Sequence, residues 1–145
     1  SKAVTDLERI GDEAAKIARI ASELHARGSF AGFPLPDVRR VADLAASMLR
    51  DALDSFARVD SRQAAHIVRA DRAIDIEFKA ILRQLITYVM EDPRTISNVL
   101  DTVLVSKAIE RIGDHAKNVA EYVVYIDRGT DVRHSSLDEI ERIVI

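Results

Sequence analysis

The residues with the clearest chemical potential are two pairs of carboxylates in a repeated pentapeptide. Glu-Arg-Ile-Gly-Asp occurs at residues 8–12 and again at residues 110–114. In a helix, the Glu and the Asp of each copy are four residues apart and project side by side from one face. Like charges at this spacing destabilise an isolated helix by about 0.2–0.5 kcal/mol. A cation that bridges the two carboxylates would remove this cost, so both copies are candidate metal ligands.

A third acidic pair, Asp71 and Asp75, has the same spacing in the segment Asp-Arg-Ala-Ile-Asp. Asp71 falls inside an apolar stripe formed by Ile67, Ile74 and Phe78, and Arg72 points away from it. A carboxylate on a buried stripe needs a partner, because burying a bare charge is very costly. Acidic pairs on adjacent helices can form an oxygen-rich site for hard cations such as Mg²⁺, Mn²⁺ or iron.

Other interpretations of these residues remain open. Acidic residues four apart commonly form a solvated helix face, which would leave a structural bundle without metal. Asp71 and Asp75 would also fit a buried salt bridge or a helix cap. His115 is expected at the surface, away from the carboxylates, and Asn118 nearer to them. A glycine inside a helix costs about 1 kcal/mol relative to alanine, so the glycine of each pentapeptide predicts close approach of a neighbouring helix backbone.

The elements that would position these carboxylates are long amphipathic helices. Apolar residues recur at intervals of three and four, and no segment shows the alternation of a strand. Asp60 with Gln63 predicts a capping box, and Asp92-Pro93 an N-cap followed by a first-turn proline. The short links require antiparallel neighbours, so the fold class is an all-α antiparallel helical bundle. The predicted units are a first helix in 1–28, a connector at 29–36, a three-helix bundle in 37–129, and a tail at 130–145 with a short helix from Ser136.

Composition narrows the function classes. The chain has 145 residues, 31% of them charged, a formal net charge of -3 and no cysteine. Disulfides, thiolate zinc sites and cysteine nucleophiles are therefore excluded. Acidic and basic residues are interleaved, which argues against nucleic-acid binding. No apolar run approaches the roughly 20 residues that span a bilayer, and the chain opens on a charged helical pattern and not on a secretory signal, so we predict a cytoplasmic protein.

Three segments together resemble one known family. They are "LERIGDEAAKIA" from Leu7, "ADRAIDIEF" from Ala70 and "ERIGDHAKNVAEYVVYIDRG" from Glu110. They look like the PhoU family of phosphate-transport regulators, and the resemblance covers essentially the whole chain. It implies two tandem three-helix bundles, each with a Glu/Asp-x-x-x-Asp signature that binds a multinuclear metal cluster. The implied ligands are Asp71, Asp75, Glu110 and Asp114 for one bundle, and Glu8 and Asp12 for the other, with Mg, Mn, Zn or Fe as the metal.

The resemblance also implies a role. A PhoU-like protein would be a non-enzymatic negative regulator of the phosphate-starvation regulon, linking the ATPase subunit of the phosphate ABC transporter to the sensor histidine kinase. Any contact with the membrane would pass through these partners. The alternative is a carboxylate-bridged metalloenzyme on a helical bundle, but such sites use Glu-x-x-His, and that spacing does not occur here.

One departure from the family concerns the start of the chain. The family has two helices before the first signature, whereas this chain begins almost on it. We therefore expect the last helix of an incomplete first bundle followed by a complete second bundle. Glu8 and Asp12 would lack the carboxylates of the absent helices, which makes theirs the less complete site. The first helix is predicted to dock on the remaining bundle or on a second copy, giving a homodimer or a larger homo-oligomer.

Overall fold

The computed structural model describes residues 2–28 and 35–145, and within them the chain is helical without any strand. The all-α prediction is confirmed. Most of the predicted connector lies outside the described residues. A single 3₁₀ turn, Pro93–Thr95, precedes the fourth helix. The helices are α1 Lys2–Arg27, α2 Leu35–Arg58, α3 Arg62–Glu91, α4 Ile96–Arg128 and α5 Leu137–Val144.

Helices α2, α3 and α4 form the central bundle, and each of them packs against the other two. Tight links join α2 to α3 and α3 to α4, so helices that are consecutive in the chain run antiparallel. The core is built from apolar side chains that recur at helical intervals. Its fully enclosed members include Met48, Ile67, Ile74, Leu85 and Val119. This bundle is the frame that brings the middle of α3 against the middle of α4.

Helix α1 packs along α4 and, among the described helices, along no other. The pairing is antiparallel: Asp6 lies beside His115, and Arg27 near the other end of α1 forms an ion pair with Asp101. The side of α1 that faces α4 is buried at Ile10, Ile20 and Leu24. Docking on the remaining bundle is therefore what the structure shows for the first helix.

The two links of the bundle differ from the patterns predicted for them. Asp60 and Gln63 do not form a capping box, because Ser61 is the N-cap of α3 and makes no side-chain cap hydrogen bond. Asp60 Oδ1 instead accepts from the backbone N–H of Arg62 at 3.1 Å. Asp92 does cap as predicted, accepting from the N–H of Arg94. The turn that follows it is 3₁₀, which moves the start of α4 to Ile96.

The tail folds back onto the bundle. Gly129 ends α4 in the left-handed conformation, with φ of 70°, where a glycine carries no Cβ penalty. Ser136 caps α5 by accepting from the N–H of Glu139, as the sequence predicted for a short helix there. Leu137, Ile140 and Val144 are buried, and α5 packs mainly on α3. Within the part of the chain that the structure describes, no helix is both long and apolar enough to cross a membrane.

Candidate metal centre

Helix α3 supplies two of the carboxylates from the middle of its length. Asp71 and Asp75 are one turn apart, and the turn between them also carries Ile74, which is fully buried in the core. The same periodicity that buries Ile67 and Ile74 draws Asp71 into the interior, where it is only 4% exposed. Asp75, slightly further round the helix, is half-buried.

Helix α4 supplies the third carboxylate, Asp114, next to a glycine that the packing requires. A Cβ on Gly113 would lie 3.2 Å from Ile74 Cδ1 and 3.3 Å from Asp71 Oδ1. The glycine therefore makes room for side chains of α3, and not for its backbone as the sequence had predicted. The copy of the pentapeptide at residues 8–12 differs, because a Cβ on Gly11 would have no neighbouring atom within 4 Å. The close-approach prediction was wrong for Gly11.

The three carboxylates converge on one point. One oxygen each of Asp71, Asp75 and Asp114 lies within 4.8 Å of the other two. Exposure increases from Asp71, which is buried, through Asp75 to Asp114, which is exposed. The cluster, which we call the acidic triad, therefore has a buried floor and an open mouth. Carboxylate oxygens are the ligands that hard divalent cations prefer.

The floor of the acidic triad contains a polar atom without a partner. Oδ1 of Asp71 is buried, and no described residue donates a hydrogen bond to it. The Nζ atom of Lys117 lies 3.9 Å from Oδ2 of the same carboxylate, which is ion-pair distance but too long for a hydrogen bond. A buried carboxylate oxygen left in this state is costly. A bound cation would satisfy it, so the residues present fit a metal site.

The electrostatics of the acidic triad are those of crowded carboxylates. Burial raises the pKa of Asp71 to about 7, and the negative charges of Asp114 and Asp75 add to the effect. Burial, followed by the charge of Glu110, also raises the pKa values of Asp75 and Asp114. The positive charge of Lys117 opposes the shift at all three positions. The site therefore has an excess of negative charge that one lysine does not neutralise.

Glu110 is placed beside the acidic triad and not within it. Its Oε1 accepts from Nζ of Lys107 at 2.5 Å, one turn earlier on α4. The same ammonium lies 5.4 Å from the centre of the Phe78 ring. Glu110 is close enough for its charge to raise the pKa of Asp75. Among the four carboxylates predicted for this site, three form the three-oxygen cluster and the fourth is held by a lysine at its edge.

The first copy of the pentapeptide forms no comparable cluster. Glu8 and Asp12 are exposed on α1. Within residues 2–28 and 35–145, the acidic triad is the one group of three potential metal ligands whose atoms converge. The two copies share a local sequence but not an environment, because α3 lies against α4 and not against α1.

Two polar residues of α4 have roles that the sequence did not predict. His115 was expected at the surface, but it is half-buried, with Nδ1 2.9 Å from Oδ1 of Asp6. Asn118 Nδ2 donates to the same oxygen at 3.2 Å. Both residues therefore fasten α1 to α4.

Lys117, which faces the acidic triad, was not predicted from the sequence either, although a lysine three residues after Asp114 on the same helix is within reach of that face.

Comparison with known proteins agrees with this architecture. The model of the PhoU domain matches residues 38–123. Phosphate-specific transport system accessory protein PhoU homologs of Pseudomonas putida and Pseudomonas aeruginosa are 53% and 49% identical over 94% and 97% of the chain. The Escherichia coli protein PhoU of the same description is 42% identical over 99%. A crystal structure of PhoU from Pseudomonas aeruginosa superposes with a TM-score of 0.85 at 49% identity, covering 90% of this chain and 62% of that one.

The relatives are longer than this chain, which spans 53%, 58% and 59% of the three accessory proteins. Their names describe accessory proteins of a transport system and not enzymes. The similarity nevertheless extends over both α1 and the central bundle, and the family model covers the helices that build the acidic triad. On these grounds the chain belongs to the PhoU family.

Proposed function

We propose that this chain is part of a non-enzymatic regulator of phosphate uptake and of the phosphate-starvation regulon. Its relatives are named as accessory proteins of the phosphate-specific transport system. The observation that carries the proposal is the acidic triad, built between two helices that the PhoU family model covers. In this proposal, occupancy of the acidic triad by a cation would alter the protein surface around its open mouth.

In this proposal, Asp71, Asp75 and Asp114 hold a divalent or iron cation, with Glu110 joining them when it is released from Lys107. A bound cation would supply positive charge to a cluster whose excess of negative charge Lys117 only partly offsets. Asp71 anchors the site from the core, while Asp114 presents it to solvent. Occupancy would thereby link α3 to α4 and change the charge of the open mouth.

The proposed partners are the ATPase subunit of the phosphate ABC transporter and the sensor histidine kinase, with this protein as the adaptor between them in the cytoplasm. The partners and their roles rest on family membership. Helix α1 is proposed to be the last helix of a preceding bundle, which would cover apolar side chains of α1 that are exposed here, among them Val4 and Leu7. A homodimer or larger homo-oligomer would cover the same apolar side chains.

A pull-down tests the adaptor function. The tagged chain, loaded with Mn²⁺, is expected to retain the purified ATPase subunit, and removal of metal or the change Asp71→Asn is expected to reduce retention at least fivefold. Glu8→Gln, on the exposed copy of the pentapeptide, is the matched control and should retain as much as the wild type. Retention that depends on neither metal nor Asp71 would contradict the proposal.

The alternative of a carboxylate-bridged metalloenzyme lacks a supporting donor. No histidine joins the three carboxylates in the described part of the chain, and ferritin-like sites use Glu-x-x-His on their ligand helices. Oxidation of Fe²⁺ under air, followed by absorbance, separates the two functions. The regulator predicts the same rate with the wild type and with Asp71→Asn, whereas faster oxidation by the wild type would favour the enzyme.

A further inference from the structure

A second polar site lies some distance along α4 from the acidic triad. It is a cavity of about 540 Å³ between the start of α1, the last turns of α4 and the segment that follows Gly129. This volume falls within the range of roughly 300–1,000 Å³ that is typical of small-molecule sites. The residues that line it include Lys2, Glu121, Tyr122, Tyr125, Asp131 and Arg133.

The feature that distinguishes this cavity is Glu121. The residue is 5% exposed and lines the cavity, and its carboxylate takes part in none of the hydrogen bonds or ion pairs found among the described residues. Burial raises its pKa to about 7, and the charges of Asp131 and Asp6 add to the shift while those of Lys117 and Arg133 oppose it. An unpaired carboxylate at this depth is unfavourable, and a cation bound in the cavity would supply the partner that it lacks.

The other carboxylates of the cavity already have partners. Asp131 accepts hydrogen bonds from Nε and Nη2 of Arg133, at distances between 2.5 and 3.0 Å. Asp6 accepts from Asn118 and lies beside His115. The lining thus holds three carboxylates and two cations. Both cations, Arg133 and Lys2, lower the pKa of Asp131, so Glu121 is the carboxylate of the lining that has neither an ion pair nor a hydrogen bond with a described residue. A ligand for this position carries positive charge.

The surroundings of Glu121 favour an organic cation over a metal ion. Glu121 is not a member of a convergent group of three metal ligands, a property that the acidic triad alone has among the described residues. Two aromatic rings line the cavity instead. Tyr122 is steadied by a stacked contact with Phe56, at 6.4 Å between ring centres, while Tyr125 is half exposed. Aromatic faces attract cations, and a guanidinium can donate two parallel hydrogen bonds to one carboxylate.

We propose that this cavity binds a small organic cation, a guanidinium or alkylammonium compound whose charged head meets the carboxylate of Glu121 and whose stem lies against Tyr122 and Tyr125. The site shares no residue with the acidic triad. The two proposals can therefore be tested independently, and failure of the metal-dependent function would not affect this one.

Titration calorimetry with butylguanidine, a monocation, tests this directly. The wild-type chain is expected to bind it, and Glu121→Gln, which keeps the shape and removes the charge, is expected to bind at least tenfold more weakly. Glu141→Gln, an acidic residue of α5 outside this cavity, should leave binding unchanged. No binding by the wild type, or equal binding by Glu121→Gln, would overturn the proposal.

Four further measurements test the specificity of binding. Butylurea, the neutral counterpart, is expected not to bind, and equal affinity for both compounds would refute the requirement for charge. Tyr125→Ala removes an exposed ring and leaves the core intact. It is expected to weaken butylguanidine binding several-fold. An unchanged affinity would contradict a contact between the ligand and Tyr125. Displacement of butylguanidine by Mn²⁺ would assign the cavity to metal instead, and Asp71→Asn should leave butylguanidine binding intact.

Discussion

The Nζ atom of Lys117 lies 3.9 Å from Oδ2 of Asp71, the most buried carboxylate of the acidic triad. It is the nearest cation to that carboxylate among the described ion pairs, and it reaches no hydrogen bond there. Its charge lowers the pKa values of all three triad residues. The lysine is therefore a partial counter-charge for the buried carboxylate.

Removing this counter-charge should tighten metal binding. With Lys117→Met, the repulsion between the ammonium and a bound cation disappears, and Mn²⁺ affinity measured by calorimetry is expected to rise roughly tenfold, equivalent to about 1.4 kcal/mol. Lys79→Met changes an exposed lysine of the same helix as Asp71 and should have no effect. Weaker Mn²⁺ binding by Lys117→Met would show that the lysine supports the site and does not compete with the cation.

Metal binding should depend strongly on pH. The pKa of Asp71 is raised from 3.8 to about 7, so below pH 7 a proton must leave before a cation can bind. Apparent Mn²⁺ affinity is expected to rise by about tenfold per pH unit from pH 5.5 to 7 and then to level off. Affinity that is constant across this range would show that Asp71 is ionised without metal.

The stability of the metal-free protein should fall as the pH rises, whereas its affinity for metal rises. A raised carboxyl pKa means that folding favours the protonated form, so the stability that Asp71 contributes is fully present below pH 3.8 and is lost as the pH rises through 7. At pH 8, Asp71→Asn should therefore unfold in urea with a free energy higher by roughly 1–3 kcal/mol than the wild type. At pH 8 with saturating Mn²⁺ the order should reverse. A less stable Asp71→Asn in the absence of metal would contradict this.

The two glycines of the repeated pentapeptide offer a matched pair. Gly11→Ala adds a methyl group to open space within a helix and should stabilise the chain by about 1 kcal/mol. Gly113→Ala places its methyl group 3.2 Å from the buried Ile74 and 3.3 Å from Asp71 Oδ1. We expect no gain in unfolding free energy from Gly113→Ala and weaker Mn²⁺ binding. Equal stabilisation by both changes would contradict the close packing of Ile74 and Asp71 against Gly113.

The link between α2 and α3 contains a strained residue. Val59 has φ of 53° and its side chain is 44% exposed. A β-branched residue is unfavourable in the left-handed region, and glycine is not. Val59→Gly is expected to raise the free energy of unfolding by about 1 kcal/mol in urea titrations. Ala57→Gly, two residues earlier in helical backbone, should lower it by a similar amount; a loss at both positions would refute strain at Val59.

Local sequence predicted the helices and part of the site for identifiable reasons. Apolar residues at helical spacing define α1 to α5, and Asp71 was recognisable because a carboxylate interrupts such a stripe. The start of α4 shifted because Asp92 and Pro93 initiate a 3₁₀ turn before the α-helix begins. The capping box at Asp60 failed because Ser61 occupies the N-cap position.

Contacts between helices could not be predicted in the same way. The pairing of His115 with Asp6, residues 109 positions apart in the sequence, depends on α1 running antiparallel to α4. Likewise, the identical pentapeptides differ in environment because α2 and α3 pack against the helix that carries the second copy and not against α1. The capture of Glu110 by Lys107 depends on side-chain rotamers, which periodicity does not specify.

The metal content of the purified chain tests the central claim most directly. After incubation with Mn²⁺ and desalting, elemental analysis is expected to find bound metal in the wild type and in Glu8→Ala/Asp12→Ala, which alters the exposed copy of the pentapeptide. The double variant Asp71→Ala/Glu110→Ala is expected to lose it. Equal metal in the wild type and in Asp71→Ala/Glu110→Ala would contradict a metal centre at the acidic triad.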